Sequence, residues 1–233
     1  MQCQHLLIIP DGNRRWAKQR NLLPWKGHEK GGEVFKQITK DVFDFKIKYF
    51  TFWILSKDNF VKRPKNEIKT LIDLINRGIQ EFYQQKWIKD YKVNIKFYGQ
   101  WKEYFDKKIV KNLEKIETET ESYKDHFLSI LLLYDGREEL VAGVKRLHSR
   151  IKNPNEISFE TIKQCLWTHS LPDVDLIIRT GINNDPHWSS NLLIFQTGYS
   201  QFYFTKTLWP DFNKNELKKA LQDFAKREKR LGG

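Results

Sequence analysis

Leu6-Leu7-Ile8-Ile9-Pro10-Asp11-Gly12-Asn13-Arg14-Arg15-Trp16-Ala17-Lys18 opens on a four-residue apolar run and then turns abruptly polar. The run predicts a buried strand, and Asp11-Gly12-Asn13 predicts the turn that ends it. Gly and Asn tolerate positive φ, so backbone amides of this turn can face an anion, and Arg14 and Arg15 add planar donors suited to phosphate. A lone carboxylate beside such a site suits Mg2+, which commonly takes one or two carboxylates plus substrate oxygens. The same residues read equally well as an ordinary strand–turn–helix with a capping aspartate.

Outward from this stretch, further strands are expected at 49–55, 93–98, 127–134, 176–179 and 192–196, with 202–204 as an additional candidate. Helical stripes separate them. Val34, Ile38, Val42 and Phe45 form one apolar face, and Leu71, Ile72, Ile75, Ile79 and Phe82 form another; 138–151 and 215–224 are also read as helices. Strands alternating with helices predict an α/β fold, a largely parallel central sheet of about six strands flanked by helices. No linker, repeat or low-complexity segment divides residues 1–233, so one domain is expected. Ligands of open α/β sheets bind beyond the carboxyl ends of the strands. The loops at 11–13, 56–64 and 181–189 are therefore the places to look.

With 41 Lys and Arg against 29 Asp and Glu, the 233-residue chain carries a formal charge of +12. That balance attracts nucleic acid, an acidic membrane surface or phosphorylated small molecules. The lysines are spread along the chain and no basic arm stands out, so charge narrows the partner to something anionic and stops there. A hydrophobic content of 39% excludes a disordered chain. Only Cys3 and Cys165 occur, which excludes a disulfide framework and favours a reducing compartment. The longest apolar run, 127–134, is far short of the ~20 residues of a membrane helix, and the first residues lack a signal peptide's features. A soluble cytoplasmic protein is expected, with peripheral membrane contact left open. His5, His126, His148 and His169 lack metal-ligand spacing, and Cys165 reads as a small buried hydrophobe. Trp87, Tyr91, Phe97 and Trp101 are read as core or interface rather than as a base-stacking platform, so no nucleic-acid partner is expected.

The motifs, taken together, resemble the cis-prenyltransferase family. Asp11-Gly12-Asn13-Arg14-Arg15-Trp16-Ala17 with Gly27-His28-x-x-Gly31 is similar to its opening block, and Ser56-x-x-Asn59 with Arg63-Pro64-x-x-Glu67 to its second. Residues 132–137 with Glu139, then Leu171-Pro-Asp173-x-Asp-Leu-Ile-Ile-Arg179-Thr-Gly181 with Ser190-Asn191-x-Leu193, follow in family order. Leu208-Trp-Pro-Asp211-Phe212 and the Arg230-Leu-Gly232 ending complete the match over essentially the whole chain. The resemblance implies a Mg2+-dependent, homodimeric prenyltransferase acting on an allylic diphosphate and isopentenyl diphosphate. It makes Asp11 the metal ligand, with His187 and Gln201 near the metal. Gly12, Asn13, Arg14, Arg15, Trp16 and His28 would lie at the donor diphosphate. Ser56 and Asn59 would assist proton removal and positioning. Arg63, Arg179, Trp188 and Ser190 would line the substrate sites, with Arg230 and Gly232 reaching across the dimer interface.

The departures from the family pattern bear on substrate choice. Pro24 and Trp188 stand where the family has diphosphate-binding arginines, and Gln201 replaces a glutamate. The 179–187 loop is longer by about three residues in the same alignment. One extra residue makes Lys62 a rival to Arg63, while Lys26, Arg20 and Lys62 are candidate substitutes for the lost arginines. These changes imply an altered acceptor, dimethylallyl diphosphate among them, or a catalytically weak partner subunit. Trp53 and Ile54 fall on the strand that lines the family's product tunnel, Ile54 where long-chain members carry alanine. A short-chain product, branched or cyclised products included, is the resulting expectation; the competing reading makes both residues ordinary core facing the other way.

Overall fold

The computed structural model describes residues 2–187, 189 and 192–227. Six strands form one sheet in the order β3-β4-β2-β1-β5-β6, and every neighbouring pair is parallel. They are β1 (His5–Ile9), β2 (Tyr49–Ser56), β3 (Val93–Tyr98), β4 (His126–Tyr134), β5 (Leu176–Arg179) and β6 (Gln201–Phe204). The helices are α1 (Asn13–Gln19), α2 (Pro24–Asp44), α3 (Lys57–Lys62), α4 (Lys65–Tyr83), α5 (Lys86–Asp90), α6 (Trp101–Tyr104), α7 (Lys107–Thr120), α8 (Gly136–Arg150), α9 (Phe159–Gln164) and α10 (Lys214–Lys226). The expected α/β architecture and parallel sheet are both present.

Alternation along the strands divides the interior in two. Leu6 and Ile8 of β1 join Phe50, Phe52 and Ile95 in the larger core, together with Val34 and Ile38 of α2, Leu71, Ile75 and Ile79 of α4, and Phe224 of α10. Leu7 and Ile9 face the other way, into a smaller core with Trp53, Leu131, Tyr134 and Ile177. Trp87 packs edge-on against Phe82 and Trp101 against Phe97, so these aromatics are packing residues as expected. His5 is a satisfied core histidine, its ring nitrogens 2.8 Å from Thr51 Oγ1 and 2.9 Å from the Pro172 carbonyl. Cys165 is buried.

Two expectations need correction. Residues 192–196 form turns, not a strand, and the sixth strand is Gln201–Phe204. Leu192 and Leu193 are apolar because they pack on the smaller core. Their carbonyls are taken by Thr197 Oγ1 at 3.2 and 2.9 Å, which holds the backbone out of the sheet. The 56–64 segment is also not all loop: Ser56 Oγ accepts the Asn59 amide hydrogen at 3.0 Å and starts α3 as its N-cap.

From β1 the chain adds β2, then the edge strand β3, then β4 between them on one side, and returns to place β5 on the other side of β1. The reversal lies between β1 and β5, where Ile9 pairs with Arg179, and Asp11 emerges just beyond. A second irregularity sits beside it: Trp53 pairs with Leu131 and Leu55 with Leu132, leaving Ile54 as a bulge residue in β2.

Candidate active site

Gly12 makes the turn after β1 at φ 113°, and a Cβ there would lie 2.8 Å from the Leu208 side chain. Only glycine fits such a position without strain. The turn feeds α1, and α2 crosses it closely because Gly27 has no side chain; a Cβ would come within 2.0 Å of the Asn13 carbonyl oxygen. The backbone of Asp11 is fixed from below. Its carbonyl accepts hydrogen bonds from Thr180 Oγ1 at 2.8 Å and from the Trp209 amide at 3.0 Å.

Above this base opens a cleft of about 770 Å³, lined by the ends of β1, β2 and β5 and by α1 and α3. Asp11, Gly12, Asn13, Arg14, Arg15, His28, Ser56, Asn59, Arg63 and Arg179 all belong to its wall. Four arginines there face two carboxylates, Asp11 and Asp58. Asp11 lies between Arg15 at 3.1 Å and Arg179 at 3.2 Å. Asp58 is paired with Lys62 at 2.8 Å. Burial and the repulsion of Arg14 lower the pKa of Arg63. His28 is pushed down to about 4 by burial and by the Arg63 and Arg14 guanidiniums, so it is neutral at ordinary pH. Its Nε2 is buried without a hydrogen-bond partner among the described residues, as is Asn13 Oδ1, while Arg63 Nη1 has only an ion pair with Glu67 at 3.6 Å. Cations in excess of the carboxylates lining the cleft, beside unpartnered polar atoms, make an anion receptor.

A second, largely apolar pocket of about 420 Å³ runs between α2 and α4; Phe35, Phe52, Leu71, Ile75, Ile79 and Trp209 line it, with Glu29, Glu33, Lys36, Arg77 and Glu81 also along its wall. Pro10, Asn13, His28 and Ile54 line both cavities and form the junction. Ile54 thus lines both cavities. Trp53 lines the cleft and packs into the smaller core on the opposite face of β2, as strand alternation dictates.

Other expected residues are set apart. Trp16 is not in the cleft wall; its Nε1 donates to Asp211 at 2.7 Å, and Arg20 covers its ring at 4.3 Å. Gln201 lies at the start of β6 beside Leu176, the far end of the sheet from Asp11, and accepts from Arg227 at 3.2 Å. Within one chain it does not converge with Asp11. The His187 carbonyl accepts from Arg179 at 2.8 Å, but the His187 ring turns back to the Asp185 carbonyl at 2.9 Å. Trp188, Ser190, Arg230 and Gly232 lie outside the described residues. Arg63, not Lys62, reaches the cleft, and Arg20, Lys26 and Lys62 are each held by a carboxylate instead. Sequence reasoning missed Asp58 and Ser189, whose Oγ accepts from Arg179 at 2.6 Å. Asp58 sits in the first turn of α3, just beyond β2, and Ser189 in the segment after β5; their place beyond strand ends was the available signal.

A divalent cation fits this cleft in one way. Among the described residues no cluster of three or more His, Cys, Asp or Glu exists to cage a metal. Asp11, 40% exposed at its side chain, offers one carboxylate to the cavity. A hard cation held there would draw its remaining oxygens from phosphate and water, as Mg2+ commonly does.

Residues 9–232 match the undecaprenyl diphosphate synthase family of prenyltransferases. The chain belongs to that family. An isoprenyl transferase of Thermus thermophilus is 38% identical over 237 residues, covering 98% of this chain and 88% of the relative. A tritrans,polycis-undecaprenyl-diphosphate synthase (geranylgeranyl-diphosphate specific) of Methanopyrus kandleri is 34% identical over 98% of this chain and 84% of its own length. Among solved structures, lavandulyl diphosphate synthase from Lavandula x intermedia, in complex with dimethylallyl diphosphate, superposes with a TM-score of 0.92 at 26% identity, covering 100% of this chain and 99% of that one. This family member is a prenyltransferase with the family's all-parallel sheet. No helix among the described residues is long and apolar enough to cross a membrane.

Proposed function

We propose that the protein moves an allylic prenyl group from its diphosphate onto isopentenyl diphosphate, or onto a non-standard acceptor such as dimethylallyl diphosphate, in a Mg2+-dependent reaction with a short-chain product. The observation that carries this reading is the junction at Pro10, Asn13, His28 and Ile54, where an arginine-lined cleft opens into an apolar pocket. An anionic head with an isoprenoid tail matches the two cavities together. The dimethylallyl diphosphate bound to the Lavandula structure is such a molecule.

In this reading Asp11 holds the metal, and Gly12, Asn13, Arg14, Arg15 and His28 receive the donor diphosphate. Bound Mg2+ would supply positive charge against the departing diphosphate. The donor C–O bond breaks with its electron pair leaving on the diphosphate, the acceptor double bond closes on the allylic carbon, and a proton leaves the acceptor. Arg14 and Arg63, already in mutual repulsion, are relieved by an anion and so favour the leaving group. Ser56 and Asn59 serve positioning and proton removal, and Arg179 with Ser190 and Trp188 serves the acceptor. Leu140, Val141 and Val144 of α8 and Phe159 of α9 are exposed apolar residues that a second copy would cover, with Arg230 and Gly232 reaching across that interface.

Incubation with Mg2+, labelled isopentenyl diphosphate and a panel of allylic diphosphates tests the reading, with products identified by mass spectrometry. A labelled prenyl product is expected. Pyrophosphate release without label incorporation points to dimethylallyl diphosphate as acceptor or to cyclisation. Turnover that appears only when a second chain is added would replace this reading with that of a weak partner subunit.

A further inference from the structure

The cationic surface continues beyond the cleft. On its outer side Arg14, Arg15, Lys18, Asn21, Leu22 and Pro24 enclose a recess of about 450 Å³, and Arg14 and Arg15 belong to both cavities. Arg14 and Lys18 are four residues apart on α1, so they share one face of the helix, where like charges repel. Neither is met by a carboxylate among the described residues, whereas neighbouring Arg15, Arg20 and Lys26 are paired with Asp11, Asp211 and Glu29. A lysine in the last turn of α1 is favoured by the helix dipole. That preference explains a cation at the position; it explains neither the recess nor the missing counter-charge.

We infer that the recess between Arg14 and Lys18 is an anion subsite that takes the outer phosphoryl group of the diphosphate seated in the cleft. The inference rests on the functional reading above and extends it. Arg15 already shares its charge with Asp11, so Arg14 and Lys18 are the cations on α1 whose charge no carboxylate answers among the described residues before an anion arrives. Lysine meets it as a compact charge on a flexible stem rather than as a fixed fork. The recess wall on the other side, Leu22 and Pro24, offers no charged donor, which leaves Lys18 as the specificity element there.

Calorimetric titration with inorganic pyrophosphate in Mg2+ buffer reads this directly. Lys18→Ala and Lys18→Gln are expected to weaken binding about tenfold and to flatten its salt dependence. Lys18→Arg should retain affinity, and Lys26→Ala should leave it unchanged. Unchanged melting temperatures would separate the effect from any role in holding α1. Equal pyrophosphate affinity in wild type and Lys18→Ala would overturn the inference. So would inorganic phosphate that binds alongside saturating pyrophosphate and is lost in Lys18→Ala, since the recess would then serve a separate free anion. A wild-type protein that bound no pyrophosphate would overturn the functional reading as well.

Discussion

Arg179 Nη2 lies 3.2 Å from Asp11 Oδ2, which ties the tips of β5 and β1 together at the point where the sheet's winding reverses. The two ends of this contact differ in kind. Arg179 is 7% exposed at its side chain and is fixed by the His187 carbonyl and Ser189 Oγ, while Asp11 stands in the open cleft with Arg15 on its other oxygen. A rigid buried cation thus aims a solvated carboxylate. The aspartate is held in place, yet it keeps an oxygen edge that an arriving cation can share.

Asp11→Ala and Asp11→Asn are expected to abolish metal-dependent turnover, because neither side chain supplies an anionic oxygen. Stability should fall as well, by about 1–3 kcal/mol, since the buried Arg179 guanidinium loses its counter-charge even though the Arg15 pair is screened by water. Steady-state assays with and without Mg2+, beside urea melts, would show both effects. Metal-dependent turnover in Asp11→Ala would overturn the assignment.

Ile54 and Trp53 are adjacent in sequence and opposite in consequence. Ile54→Ala removes a bulky side chain at the mouth of the apolar pocket and should lengthen the product, because packed interiors do not yield to an extra prenyl unit at low cost. Trp53→Ala should leave product length alone and destabilise the fold by roughly 3–5 kcal/mol through the cavity left in the smaller core. Product chromatography and denaturant melts on the two variants distinguish these effects. A longer product from Trp53→Ala, with none from Ile54→Ala, would reverse the assignment of the tunnel wall.

Much of this was legible in the sequence, for physical reasons that differ by element. Strand β1 was plain because Leu6–Ile9 is apolar on both faces, as a central parallel strand must be, and the turn after it needs its glycine. The 192–196 segment was misread because apolar composition reports burial and not pairing; Thr197 decides its backbone, and nothing in a hydrophobicity pattern weighs that hydroxyl. The bulge at Ile54 was invisible for a related reason, since register depends on β4 as much as on β2. Trp16 looked like a site residue because it lies within the motif, but its partner Asp211 is 195 positions away.

Glu139 marks a position where structure supplies the reason. Its carboxylate is 3% exposed and accepts from the Tyr134 hydroxyl, from the Thr168 amide at 2.8 Å and from Thr168 Oγ1 at 2.8 Å. Tyr134 in turn accepts the Leu193 amide hydrogen at 3.3 Å, so the network holds the 192–196 turns onto β4. Glu139→Ala leaves buried donors without an acceptor and should cost roughly 3 kcal/mol. Glu139→Gln keeps an acceptor oxygen and should cost less. Equal stability of Glu139→Ala and wild type in urea would show that the network contributes nothing.

Acid should weaken the fold through its buried histidines. His5 and His28 are both pushed down from 6.5 to about 4, His5 by burial first and His28 by burial with Arg63 and Arg14. Between those values the unfolded chain binds protons that the native protein refuses, so stability rises with pH across the window. It is complete above about 6.5, falls as the pH drops towards 4, and levels off with respect to these groups below it. Each fully shifted histidine contributes at most about 1.4 kcal/mol per pH unit there. Burial lowers His126 in the same direction, so urea midpoints should decline from pH 7 to pH 5, and His28→Gln should make the decline shallower by removing one of these groups. Pyrophosphate acts in the opposite sense on His28 alone: its charge offsets the two guanidiniums and raises the histidine's proton affinity, so binding near pH 5 should take up protons. Calorimetry in buffers of different ionisation heat reads that uptake, and its absence, with midpoints flat between pH 7 and 5, would place His28 in contact with solvent rather than beneath the anion.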